Sequence, residues 1–195
     1  SGRALNYTLT RTATLLPDGM RLDYTAENHA EKALPYLWAA HPLFNGHDTE
    51  IVLPAEVNQV ISVDHPRIST PDVLLDWAEA VLPSGEHQHM GKVRDTSHHD
   101  YRKFYVPPDQ RITSAALHQI SARCQLSMMW DGSGAPYLGV WVDQGTYTTD
   151  STVALEPASG YYDSLERAQS LGRIASIPAG GQASWWVTVR LSRLP

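Results

Sequence analysis

The chain has 195 residues, 42% of them hydrophobic and 18% charged, a balance that supplies enough apolar side chain for a packed core and excludes a disordered polyelectrolyte. Fifteen Lys and Arg stand against twenty-one Asp and Glu, a net charge of −6 with the basic residues scattered, so a nucleic-acid partner is not expected. No apolar run approaches the roughly 20 residues that span a bilayer, and an integral membrane protein is not expected either.

The chain opens Ser1-Gly2-Arg3 rather than on Met, without a charged-then-apolar leader, and is expected to be a piece of a longer polypeptide. Tyr7, Leu9, Arg11, Ala13 and Leu15 alternate with Thr8, Thr10, Thr12 and Thr14, the period of a strand with one face buried. Pro17-Asp18-Gly19 turns the chain, and Met20, Leu22, Tyr24 and Ala26 alternate through a second strand, completing a hairpin. A third strand is expected over residues 36–41. Further strands are expected at 49–53, 59–63, 101–106, 114–118, 125–130, 137–143, 151–156 and 183–192, which makes the chain all-β. Two short helices interrupt this pattern. One is expected over residues 70–81, where Thr70-Pro71 precedes Val73, Leu74, Trp77, Ala78 and Val81. The other starts at Asp163-Ser164-Leu165-Glu166, with Gly172 as its stop. Residues 83–100 are polar and weakly periodic and read as a long surface loop. Neither a repeat nor a linker divides the chain, so residues 1–195 are expected to form one domain. Cys124 is the single cysteine; it reads as a small buried strand residue and points to a reducing, cytoplasmic compartment.

Two segments carry candidate chemistry. In Leu34-Pro35-Tyr36-Leu37-Trp38-Ala39-Ala40-His41-Pro42, a histidine ends an apolar strand just before a proline. An imidazole at a sheet rim can give or take a proton near neutral pH, although such a histidine also serves simply to tie a strand end to a carbonyl. In Ala154-Leu155-Glu156-Pro157, a carboxylate stands in the same position before a proline. Folding can bring these two groups to one rim of a curved sheet, to face a ligand from two sides; a solvated rim charge is the simpler reading of Glu156. His87-Gln88-His89 and His98-His99 match no zinc signature, and no metal is expected there. Ser184-Trp185-Trp186 reads as sheet packing.

Four blocks together resemble the galactose mutarotase (aldose 1-epimerase) family. They are Thr8-Leu9-Thr10-Arg11 with Leu22-Asp23-Tyr24 and Glu27-Asn28; Trp38 to Phe44; Tyr137-Leu138-Gly139-Val140-Trp141; and Leu155-Glu156-Pro157 with Asp163-Ser164-Leu165. Gly180 to Leu191 resembles the family's closing strand. The resemblance spans almost all of this chain but only the later part of a whole mutarotase. It implies an antiparallel supersandwich lacking N-terminal strands, with a dimer or a second chain completing the sheet. It further implies a monosaccharide substrate, Glu156 as general base and His41 as general acid in anomer interconversion, and no cofactor. A non-catalytic carbohydrate-binding or interaction domain on the same fold is the alternative. Trp141 is a candidate sugar-stacking platform on physical grounds, with core packing as its other reading. Asp95 and Asp100 sit in no family motif and receive no role. Whether Arg102 or Lys103 would meet a phosphorylated sugar stays open.

Overall fold

The computed structural model describes residues 5–194; the opening Ser1-Gly2-Arg3 lies outside them. Strands β1 (Tyr7–Leu16) and β2 (Gly19–Asn28) form the expected hairpin, paired from Tyr7↔Asn28 to Leu16↔Gly19, but β1 does not bury the face its alternation suggests: it is the edge strand of its sheet, and Leu9 and Leu15 are exposed. The expected third strand is shorter than the apolar run that suggests it. β3 is only Leu34–Tyr36, and beyond it a single bridge joins Ala39 to Ala158. β4 (Phe44–Asn45), β5 (Thr49–Val52) and β6 (Gln59–Asp64) follow.

The helix expected over residues 70–81 does not form. Residues Val73–Asp76 make strand β7 and Glu79–Val81 make β8. β7 pairs with β6 through Val60↔Leu75, which buries Leu75 in the core and leaves Leu74 exposed, a period of two rather than 3.6. The apolar i, i+4 spacing is equally a strand pattern read every second residue, and pairing to β6 decides between them. The expected loop is partly ordered as well. β9 (His87–His89) pairs with β8, β10 (Lys92–Val93) pairs with β5, and Thr96–His98 form one 3-10 turn capped by Asp95.

β11 (Asp100–Tyr105), β12 (Ser114–Gln119), β13 (Cys124–Trp130), β14 (Tyr137–Gln144) and β15 (Ser151–Ala158) come next. The second expected helix is α1 (Leu165–Ser170), where the Ser164 side chain accepts from the Arg167 N–H and Gly172 follows with φ 64°. β16 (Ala175–Ile177) pairs with β3, and β17 (Gln182–Arg193) closes the chain.

Two large sheets result, one ordered β1-β2-β17-β13-β12-β5-β10 and the other β4-β15-β14-β11-β6-β7, with every pairing antiparallel. Between them lies the main core, where Ile51, Leu117, Met128, Trp130 and Val187 meet Phe104, Leu138, Val140, Val153 and Leu155. A second cluster under the hairpin joins Tyr24 and Trp185, whose rings stack 5.6 Å apart, with Trp38 and Tyr36 against them. The expected packing role of Ser184-Trp185-Trp186 thus rests on Trp185. Cys124 is half-buried at the start of β13 rather than buried. Among the described residues no helix is long and apolar enough to cross a membrane.

Strand alternation then positions the site. In β14, Leu138, Val140 and Val142 point into the core, so Gly139 and Trp141 point to the opposite face of the six-stranded sheet. The same parity sends Lys103 and Tyr105 of β11 and Glu156 of β15 to that outer face. It is not an open face. Tyr105, Tyr137, Tyr161 and Tyr162 pack over part of it, just before α1.

Candidate active site

Residues 39–45 run antiparallel beside β15. The bridge Ala39↔Ala158 and the pair Phe44↔Val153 belong to one register, which sets His41 opposite Glu156. Pro42 and Pro157 lack the N–H groups that a continuous ladder would need here, which is why the two strands meet only at either end of the stretch. The two sequence segments that share a residue-then-proline pattern are therefore spatial neighbours across one strand pair.

His41 Nε2 lies 3.3 Å from Glu156 Oε1, with the imidazole half in solvent and the carboxyl only 3% exposed. The approach is off line for a hydrogen bond, so Oε1 is a buried acceptor without a partner. The other oxygen, Oε2, is taken by the Lys103 ammonium, which is itself 7% exposed. Lys103 Nζ also lies 3.3 Å from Asp163 Oδ1, and the same aspartate oxygen accepts from the Tyr105 hydroxyl. The outcome is a chain of polar contacts from His41 through Glu156, Lys103 and Asp163 to Tyr105.

Burial pushes the Glu156 carboxyl above the ordinary carboxylate range, while the Lys103 charge and hydrogen bond pull it back and His41 adds a smaller pull in the same direction. The net direction is upward because a carboxylate in this interior loses more hydration than one ammonium returns. Burial raises the Tyr105 hydroxyl as well, with Asp163 adding to the rise, so Tyr105 is a donor to Asp163 and not an anion.

Gly139 makes this arrangement possible. It stands between Glu156 and Tyr105 in the cross-strand row, and a Cβ there would fall 2.9 Å from Tyr105 Cε1 and 3.0 Å from Cζ. Without a side chain at 139, the Tyr105 ring leans across β14 toward Asp163.

Trp141 occupies the same face, paired with Lys103 on one side and Ala154 on the other. It is half-buried, with the Tyr101 ring 5.9 Å and the Tyr147 ring 5.6 Å away, and it takes no part in the main core.

Sequence reasoning named His41, Glu156 and Trp141 but missed Lys103, Tyr105 and Asp163. A signal exists in Tyr101-Arg102-Lys103-Phe104-Tyr105. Two adjacent basic residues inside an apolar strand must point to opposite faces, and each needs its own partner when buried. The histidines of residues 87–99 are elsewhere: His87, His89, His98 and His99 line a separate cleft with Asp100, while Asp95 caps the 3-10 turn. Among the described residues, no group of three or more His, Cys, Asp or Glu lies together as a metal ligand set would.

No protein-family model matches the chain, and no curated protein does. Solved structures do. A galactose mutarotase-like protein from Lactobacillus casei superimposes with a TM-score of 0.66 at 20% identity, over 97% of this chain and 64% of that one. A galactose mutarotase-like protein from Clostridium acetobutylicum gives 0.66 at 15% identity, over 98% of this chain and 57% of that one. A candidate aldose 1-epimerase of Escherichia coli K12 gives 0.68 at 16% identity, over 97% and 62%. The chain thus has the all-β, antiparallel fold of galactose mutarotase-like proteins and spans less than two thirds of the length of each of these three.

Proposed function

We propose that this chain, on its galactose mutarotase-like fold, carries an aldose 1-epimerase-type site that interconverts the α and β anomers of a monosaccharide, with Glu156 as general base and His41 as general acid. The observation that carries the reading is the buried, unpartnered Glu156 Oε1 held 3.3 Å from the half-exposed imidazole of His41. A buried acceptor without a donor costs folding free energy, about 1–3 kcal/mol, and such a cost is expected where a ligand supplies the donor.

The two groups sit side by side rather than facing a ligand from two sides, and the reaction tolerates that. The anomeric hydroxyl and the ring oxygen are both bonded to the anomeric carbon, so adjacent groups reach both. Glu156 Oε1 accepts the anomeric hydroxyl proton as the carbonyl forms and the bond from the anomeric carbon to the ring oxygen breaks. His41 Nε2 donates its proton to the departing ring oxygen, so neither oxygen carries a full charge. Rotation about the bond to the next carbon presents the other carbonyl face, and the reverse proton flow closes the opposite anomer. The raised proton affinity of Glu156 makes it a better acceptor for the anomeric hydroxyl proton than an ordinary carboxylate. Lys103 holds the carboxylate in place and keeps it ionised, and Asp163 and Tyr105 hold Lys103. Trp141, with Tyr101 and Tyr147 beside it, offers an aromatic face for the C–H side of a pyranose.

One observation favours the non-catalytic alternative, a carbohydrate-binding domain. The ion pair from Lys103 occupies Oε2 and lowers the basicity of the carboxylate that must act. Exchange NMR with glucose and galactose separates the two readings. The enzyme reading requires anomer exchange faster than in buffer, lost in Glu156→Gln and in His41→Asn with sugar binding retained. Binding without acceleration leaves the binding-domain reading.

A further inference from the structure

On the opposite face of the six-stranded sheet, Arg102 points inward at the end of the sandwich and is 1% exposed. Its guanidinium donates from Nε to the Met90 carbonyl at 3.0 Å, from Nη1 to Gln144 Oε1 at 3.2 Å and from Nη2 to the Lys92 carbonyl at 2.6 Å. All three acceptors are neutral, and a guanidinium has five N–H groups. Among the described residues no carboxylate comes within ion-pair distance of Arg102. A buried cation without a counter-ion is costly, and the interior normally supplies an anion.

Arg102 borders a cleft of about 400 Å³. Lys92 and Arg94 line the same cleft, both exposed and both without an ion-pair partner among the described residues. Glu86 and Asp100 line it too, both paired with Arg67, so two carboxylates stand against the four cations Arg67, Lys92, Arg94 and Arg102. The cleft thus carries two positive charges in excess, on a chain whose net charge is −6. Hydrogen bonds to the turn between β9 and β10 explain how Arg102 is oriented, and Asp100, which is shared with Arg67, offsets its charge only in part.

From this geometry we infer that the cleft between Arg102, Lys92 and Arg94 is an oxyanion-binding site for a phosphate group, free or as a small phosphate monoester. A tetrahedral dianion matches those two charges and offers enough acceptors for the spare N–H groups of Arg102 and the two exposed cations. The site lies across the sheet from Glu156, so it does not depend on the anomerase reading, and a sugar held at Glu156 does not reach it.

Calorimetric titration of the whole chain with inorganic phosphate and with glucose 6-phosphate, against sodium chloride of equal ionic strength, tests the inference. Saturable binding of inorganic phosphate is expected, and glucose 6-phosphate binding tighter than that of both phosphate and glucose, the sugar control for the Glu156 site, marks a monoester as the source. Lys92→Gln with Arg94→Gln, two exposed changes that leave the core intact, should weaken binding about tenfold or more. Arg102→Gln should abolish binding, with circular dichroism as a check that it folds. Heat no different from the chloride control, or affinity unchanged in the Lys92→Gln, Arg94→Gln variant, overturns the site.

Discussion

Replacing Lys103 by Met removes one charge from the candidate site while keeping the length and apolar stem of the side chain. In the native protein that ammonium touches Glu156 Oε2, and both groups are more than nine-tenths buried. An opposite charge at such a distance lowers a carboxyl pKa by about 1–3 units, which is about 1.4–4 kcal/mol in favour of the ionised form. Burial acts the other way and wins, leaving Glu156 above its ordinary 4.5. Without Lys103, burial is opposed only by the smaller pull of His41. Because a general base acts only when ionised, kcat/KM for anomer exchange should fall as pH drops through the Glu156 pKa. The native acid limb should therefore lie above 4.5, and the variant limb higher still. Stability carries the same sign. A carboxyl raised on folding stabilises fully below its unfolded pKa, and that contribution is lost as pH rises through the folded value. The variant should lose more stability than the native chain between pH 5 and pH 8 in urea titrations. Profiles of kcat/KM across pH 4–9 by exchange NMR give the limb directly. A limb that stays in place, or moves to lower pH, refutes the assignment of Lys103 as the group that keeps Glu156 ionised.

Other expectations follow from the same structure. Gly139→Ala places a methyl against the Tyr105 ring, and urea unfolding should show a loss of about 1–3 kcal/mol together with reduced activity as Tyr105 leaves Asp163. Leu155→Ala, at a fully buried position beside Glu156, should cost about 2–5 kcal/mol by the same assay, through the cavity it opens. Ser164→Ala removes the cap of α1 and should cost about 1 kcal/mol, read as a lower urea midpoint with an unchanged slope.

Local pattern made much of this fold legible. The alternating threonines of β1, the Pro17-Asp18-Gly19 turn and the Ser164 cap are short-range signals, and the strand, the turn and the helix start they mark all form, although β1, at a sheet edge, buries neither face. Val73 to Val81 shows where local pattern fails. Val, Leu and Trp at helical spacing became two strands, because β6 offered Leu75 a place in the core that an isolated helix face lacked. His41 is a different case. The sequence marks it as a strand end, yet only the register with β15 reveals that it faces Glu156, since pairing partners 115 residues apart leave no local trace. The sequence assigns Lys103 and Asp163 no part beside Glu156, because that part depends on strand parity and on a missing side chain at Gly139.

The central claim is that Glu156 Oε1 takes a proton from a sugar's anomeric hydroxyl. Anomer exchange of glucose and galactose, measured by NMR on the native chain and on Glu156→Gln, tests it most directly. Acceleration over buffer by the native chain is expected, with a loss of about 10²–10⁴-fold in the variant while the sugar still binds. Acceleration that survives the substitution would contradict it.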